Sequence, residues 1–193
     1  MRWGEREDPT MARATMPTDL TTEQKRVADA IMKMIGTTTI SGPYSAWIHR
    51  PELCHRLQQV SDYFRKDSVI PPRLRLLAVL TVVRHWGADY PWSVQVPAAI
   101  EAGLAPAVVT ALAEGRTPEF KDIDEGIVHA FVTELLRGGT VSDATYRRAH
   151  DRLGQGLLTD LVGVVGHFTT VSLTVNAFDI RPTRAVSPEL GKR

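Results

Sequence analysis

Residues 73–86, Arg73 to Trp86, are apolar on nearly every side of a helical wheel. Pro71-Pro72 precedes the segment and Gly87 follows it. A helix with no polar face has to be surrounded by other elements of the same protein. Proline suits the first helical position, where its missing N–H is no loss, and glycine suits the left-handed stop. The chain is therefore expected to wrap around one central buried helix. What wraps it is helical too, because no stretch alternates apolar and polar residues between turn residues, as a half-buried strand would. Helical patterns cover Asp19 to Ile35 (capped by Thr21 or Thr22 and closed by Gly36), Pro51 to Arg65, and Asp89 to Ala102. They recur in a short helix from Pro106 to about Gly115, then from Asp122 to Arg137, from Ser142 to Leu153, and from Leu157 to Val175. In the second of these, Leu53, Leu57, Val60 and Phe64 form the expected buried stripe. The reading is an all-α bundle.

Length and charge narrow the function. The 193 residues suit one domain, read as a flexible arm at 1–18, a helical domain at 19–180 and a solvated tail at 181–193. Lys and Arg number 23 against 22 Asp and Glu, a net charge of +1. That balance supplies no strong field for nucleic acid or an acidic membrane. No run of about 18 apolar residues is present, so no membrane-spanning helix is expected. The first residues are charged and lack the apolar core of a secretory signal. With a single cysteine as well, the expected compartment is the cytoplasm.

Most motif chemistry is absent. The histidines at 49, 55, 85, 129, 150 and 167 show no zinc spacing, so no metal is expected. There is no P-loop, no GxGxxG after a strand and no GxSxG elbow. Cys54, beside the Leu53–Leu57 stripe, reads as a buried inert thiol. His129 follows Glu125 by one helical turn and reads as half of an exposed ion pair. In the last helix Asp160, Gly163, His167, Thr170 and Thr174 share one stripe. It is either a close helix contact with satisfied hydroxyls or the wall of a polar pocket. Residues 84–95 place His85, Asp89, Tyr90, Gln95 and two tryptophans at a junction between apolar helices. Such a concentration of polar groups points to a pocket, because each group buried without a partner costs about 1–3 kcal/mol.

At this point the sequence resembles the carboxymuconolactone decarboxylase family, which includes the alkylhydroperoxidase-D-like proteins. The resemblance rests on Gly42-Pro43-Tyr44, Pro51-Glu52-Leu53, Arg73 to Leu80, Arg84-His85-Trp86, Tyr90-Pro91-Trp92, Ala98 with Ala102-Gly103-Leu104, Val141-Ser142-Asp143 and Asn176. It runs from about residue 20 to 180 and implies a compact bundle of about seven to eight helices, commonly oligomeric. It also implies where chemistry is missing. The thiol-active members use a Glu, a CxxC and a His at positions held here by Leu76, Ala88, Pro91 and Gln95. Without those thiols, disulfide-forming peroxidase chemistry is excluded. The decarboxylase-like members carry Tyr-Glu-Trp-x-x-His, where this chain has Tyr90-Pro91-Trp92-x-x-Gln95. Gln95 cannot titrate near neutrality, so it can hold a substrate but not move a proton.

By elimination and position, His85 is the expected proton-transfer residue, since histidine titrates near pH ~6.5. Asp89 is available to orient it, and Tyr90 and His167 stand next. Tyr44, Trp47 and Trp92 are expected to wall the pocket, with Gln95 and Arg65 holding the substrate, and Arg73 as an alternative carboxylate clamp. The expected function is a cofactor-independent enzyme for a lactone, enol or aromatic-derived acid or ketone, working by decarboxylation, hydrolysis or elimination. The alternative is a non-catalytic ligand-binding or assembly protein that has lost the family's residues. Gly156, Gly163 and Gly166 on the last helix admit a close neighbour, so a dimer, trimer or hexamer is expected.

Overall fold

A computed structural model describes residues 12–191, which form eight α-helices and, among those residues, no strand. The helices are α1 (Thr22–Ile35), α2 (Pro43–Trp47), α3 (Pro51–Lys66), α4 (Pro72–Trp86), α5 (Asp89–Glu101), α6 (Pro106–Ala113), α7 (Ile123–Gly138) and α8 (Asp143–Ala177). α4 runs through the middle, packed on α5, α6, α7 and α8, while α1, α2 and α3 form an outer layer, with α2 and α3 packing on α8. Leu77, Ala78, Val79, Leu80, Val82 and Val83 of α4 are fully buried. Burying each large side chain among them contributes about 1.5–3 kcal/mol, so the expected central helix is what the fold is built on. Pro72 opens it and Gly87 closes it in the left-handed conformation (φ 60°).

Local signals set most boundaries. Thr21 caps α1 in a reciprocal box with Gln24, each accepting from the other's backbone N–H (3.2 and 2.9 Å). Ser142 caps α8, accepting from the Thr145 N–H. α8 breaks at Gly154, which has φ 77° and ψ 161°, as the division after Leu153 anticipated. The short α2, inside a stretch whose start reads as loop, follows from Gly42-Pro43. Gly42 has φ 63°, and a Cβ there would sit 2.3 Å from the Tyr90 ring. Only glycine satisfies both conditions.

Two clusters make up the interior. The larger centres on α4, and a smaller one joins Val27, Ile31, Trp47, Ile48, Cys54 and Val171, with Phe168 packed against both. The stripe expected to bury α3 is partly displaced. Cys54 and Phe64 are buried, but Leu53 and Val60 are 50% and 40% exposed. The covered face instead runs through Cys54, Leu57, Ser61 and Phe64, because α3 is wedged between α1 and α8 and turns its polar Ser61 inward. α8 is long and apolar enough to cross a membrane by length and composition, although Asp160 and His167 interrupt it, and half of its most apolar stretch is buried inside the protein. That is the pattern of a core helix.

The ends of the described chain are held down. The Arg13 N–H donates to the Phe178 carbonyl (2.7 Å), and His49 Nε2 lies 2.9 Å from the Thr15 carbonyl. Residues 1–11 of the expected arm lie outside the described residues. The tail, expected to be solvated, packs across α4, α5 and α6. Trp92 donates to the Pro188 carbonyl (2.9 Å), the Gly191 N–H donates to the Ala113 carbonyl (3.0 Å), and Val186 and Leu190 cover the core.

Asp160 ties α8 to the loop between α3 and α4. It accepts from the Tyr63 hydroxyl (2.7 Å), the Ser68 hydroxyl (2.8 Å) and the Val69 N–H (3.0 Å). Burial alone pushes its carboxyl up, but the three donors outweigh it and hold the pKa below the usual value. Asp160→Asn is expected to cost about 1.5–3 kcal/mol at neutral pH, because bonds to the charged form are lost. A depressed pKa stabilises the fold above the ordinary carboxylate range and loses that contribution as pH falls through the folded value. Urea titrations of both proteins should therefore converge in acid.

Candidate functional site

The sequence-predicted residues fall into separate places. The stripe on α8 is a helix contact with its polar groups satisfied. Gly163 lies under the Phe64 ring, where a Cβ would sit 2.8 Å from Cζ. Thr174 accepts from the Trp47 indole N–H (3.0 Å) and donates to the Thr170 carbonyl (2.8 Å). His167, 7% exposed, places Nε2 2.9 Å from Ser61 Oγ, and the Tyr44 hydroxyl donates to the same Ser61 oxygen (3.3 Å). The Ser61 hydroxyl in turn donates to the Leu57 carbonyl (3.1 Å), which leaves Nε2 as the donor toward it. Tyr44, Trp47, Ser61 and His167 thus form one polar seam between α2, α3 and α8. Tyr90 is tied to the loop before α2, with its hydroxyl 2.9 Å from Ser41 Oγ.

The remaining predicted residues are elsewhere. Trp92 is buried and anchors the tail rather than facing a cavity. Gln95 is half-buried within α5 and is not on the wall of the α4–α7 cleft. Arg65 is exposed near the end of α3. Arg73 is not a free clamp, because it pairs with Glu125 and, at 2.6 Å, with Asp122 at the start of α7. Asp89 is the first residue of α5, where burial and the charge of Glu189 in the tail raise its pKa. Leu76, Ala88 and Pro91, where the resemblance led one to look for thiols and acids, are buried and apolar. Cys54 is fully buried and burial pushes its thiol up to about 11, as expected for an inert cysteine.

His85 is in different company. It lines an open cleft of about 830 Å³ between α4, the end of α6 and α7. The cleft wall includes Thr81, Arg84 and His85 from α4, Leu112 from α6, and His129, Thr133, Glu134, Leu136 and Arg137 from α7. It includes none of Tyr44, Trp47, Arg65, Tyr90, Trp92, Gln95 or His167. His85 packs edge-on against Trp86, ring centres 5.0 Å apart. The expected ion pair of His129 with Glu125 is absent, because Glu125 is buried against Arg73. His129 instead lies beside Phe120 (5.2 Å between rings) with Nε2 3.5 Å from Thr133 Oγ1. Burial, then the charge of Arg137, lowers its pKa, so its ring is neutral at physiological pH. The sequence signal that could have revealed this face is the spacing of His129, Thr133 and Arg137 at i, i+4 and i+8. Among the described residues no group of three or more His, Cys, Asp or Glu is arranged to hold a metal.

No family model matches the chain, and no curated protein matches it. Solved structures do. An uncharacterized peroxidase-related protein from Silicibacter sp. TM1040 is 12% identical with a TM-score of 0.75, covering 97% of this chain and 100% of that one. The debrominase Bmp8 is 13% identical with a TM-score of 0.67, covering 83% and 86%. The fold is therefore the all-α alkylhydroperoxidase-D-like fold. At these identities the likeness defines the fold and not the reaction.

Burial drives the His167 pKa down to about 4, so the native ring is neutral while an unfolded histidine still titrates near 6.5. The unfolded chain then binds the extra proton first, and stability present above pH ~6.5 is lost as pH falls toward the folded value. At about 1.4 kcal/mol per unit the expected loss is about 3 kcal/mol. Chemical denaturation across this range should show that slope, and His167→Gln should flatten it.

Proposed function

We propose that the α4–α7 cleft is the active site of a small-molecule enzyme working by proton transfer without an organic cofactor. The observation that carries this reading is that His85, the histidine singled out by elimination, opens onto the cleft together with a second histidine, His129. His85 acts as the acid–base group. It accepts a proton from the substrate while the electron pair moves into the adjacent carbonyl, and it returns the proton in a later step. Neutral His129 and Thr133, also on the cleft wall, would orient oxygen atoms of the substrate. The substrate class is a lactone, enol or aromatic-derived acid or ketone. If His85 fails, the reading of this cleft falls with it, and the candidates become Tyr90 and His167, which lie outside it.

One observation favours the alternative, a ligand-binding protein without catalysis. The predicted residues do not converge, and the groups of the Tyr44–Ser61–His167 seam already satisfy one another. The two readings separate on turnover. In a screen of lactones, enol acids and keto acids, His85→Gln is expected to lower kcat about 10²–10⁴-fold with unchanged folding. A near-wild-type rate in that variant passes the role to His167 or Tyr90, tested by His167→Gln and Tyr90→Phe.

We also propose a homo-oligomer assembled on the outer side of α8. Gly163 is used up inside the protein by Phe64, but nothing lies within 4 Å of a Cβ at Gly156 or Gly166. Val162 and Leu173 on the same side are 47% and 46% exposed. Sedimentation at micromolar concentration is expected to give a mass above the 21.4 kDa monomer. Gly166→Gln should shift it toward the monomer.

A further inference from the structure

We propose that the α4–α7 cleft takes an organic carboxylate, its charge held by Arg84 and Arg137 and its carbon skeleton set against Leu136 and Ala130. This rests on the reading of the cleft as a small-molecule site and adds the class of ligand. The cleft wall carries three arginines, Arg84, Arg116 and Arg137, and one acid, Glu134. The chain as a whole is almost neutral, at +1, so this imbalance is local.

The charges already present do not cancel it. Arg116 is paired with Glu114. Glu134 keeps its negative charge while accepting from the Ser142 N–H at the start of α8 (2.6 Å), so it offsets only one of the three cations on this wall. Arg84 donates to a neutral group, the Gly191 carbonyl, at 2.5 Å, and packs over Gly115. Among the described residues no carboxylate pairs with Arg84 or Arg137. Arg137 stands two turns from His129 on one face of α7, and its charge is felt at the His129 ring. An excess of guanidinium over carboxylate on one concave wall, with no ion pair formed by Arg84 or Arg137 among the described residues, favours an anion, and the guanidinium fork matches a carboxylate.

Size and lining decide between an organic and an inorganic anion. A volume of about 830 Å³ lies within the roughly 300–1,000 Å³ of small-molecule sites. Leu112, Ala130 and Leu136 supply an apolar wall that phosphate would leave unused. Neutral His129 offers a ring nitrogen for a hydroxyl or carbonyl on the ligand without adding charge.

The test uses benzoate, its uncharged isostere benzamide, and inorganic phosphate, each titrated into the full-length protein while the His85 and His129 ring signals are followed by NMR. Benzoate is expected to shift both rings saturably, with benzamide and phosphate at least tenfold weaker. Arg137→Gln lies on the exposed last turn of α7 and should weaken benzoate about tenfold while leaving the unfolding midpoint unchanged. Arg84→Gln gives a second arm. No saturable shift with benzoate overturns the proposal. So does equal binding of benzamide or phosphate, or wild-type affinity in both arginine variants. Because the readout is binding, benzoate capture without turnover leaves this inference standing while the proton-transfer reading falls. Turnover of uncharged substrates without benzoate capture does the reverse.

Discussion

The burial of α4 constrains everything else in this protein. Its interior residues touch other helices on all sides, so no polar group can stand along most of its length without a partner inside the core. The one polar residue in that stretch, Thr81, returns its hydroxyl to its own helix at the Leu77 carbonyl (2.8 Å). Charge and chemistry are pushed to the two ends. At the first end Arg73 is locked to Asp122 and Glu125 and joins α4 to α7. At the other end Arg84 and His85 emerge beside α6 and α7, and Trp86 donates to Thr169 of α8 (3.1 Å). A site involving α4 therefore has to open where the helix leaves its packing.

Two polar groupings result, and they differ in what remains available. The seam of Tyr44, Ser61 and His167 is internally matched: each donor has an acceptor, and burial keeps the histidine neutral. It behaves as a polar joint that fixes α3 on α8. The cleft of His85, His129, Arg84 and Arg137 is open to solvent, and Arg84 and Arg137 form no ion pair among the described residues. Groups that have spent their hydrogen bonds on one another specify a fold, whereas cations on a cavity wall that outnumber the acids there favour an anionic ligand. The tail adds to the second grouping, since Gly191 fixes the Arg84 guanidinium at the cleft edge.

Much of the architecture was legible in the chain. The all-round apolar pattern of 73–86 identified the central helix, and Pro72, Gly87, Thr21, Gly36 and Ser142 marked boundaries through local backbone chemistry. The burial of Cys54 was legible from its neighbours. The buried face of α3 was misread because periodicity counts apolar residues and cannot see that Ser61 finds Tyr44 and His167 across the interior. The role of Trp92 was misread because its partner, the Pro188 carbonyl, is a backbone atom far along the chain.

What the sequence determined by itself was the class of fold, the buried axis and the absence of the thiols and acids of the resembling proteins, because these depend on residue type and short-range spacing. Only the tertiary structure decided which histidine has a cavity, which arginine is cancelled and which hydroxyls are spent. Glu125 and His129 stand one turn apart on α7 and look like a pair in sequence, but α4 brings Arg73 to the first and the cleft to the second. Such assignments turn on contacts between helices tens of residues apart, and a one-dimensional pattern carries no record of them.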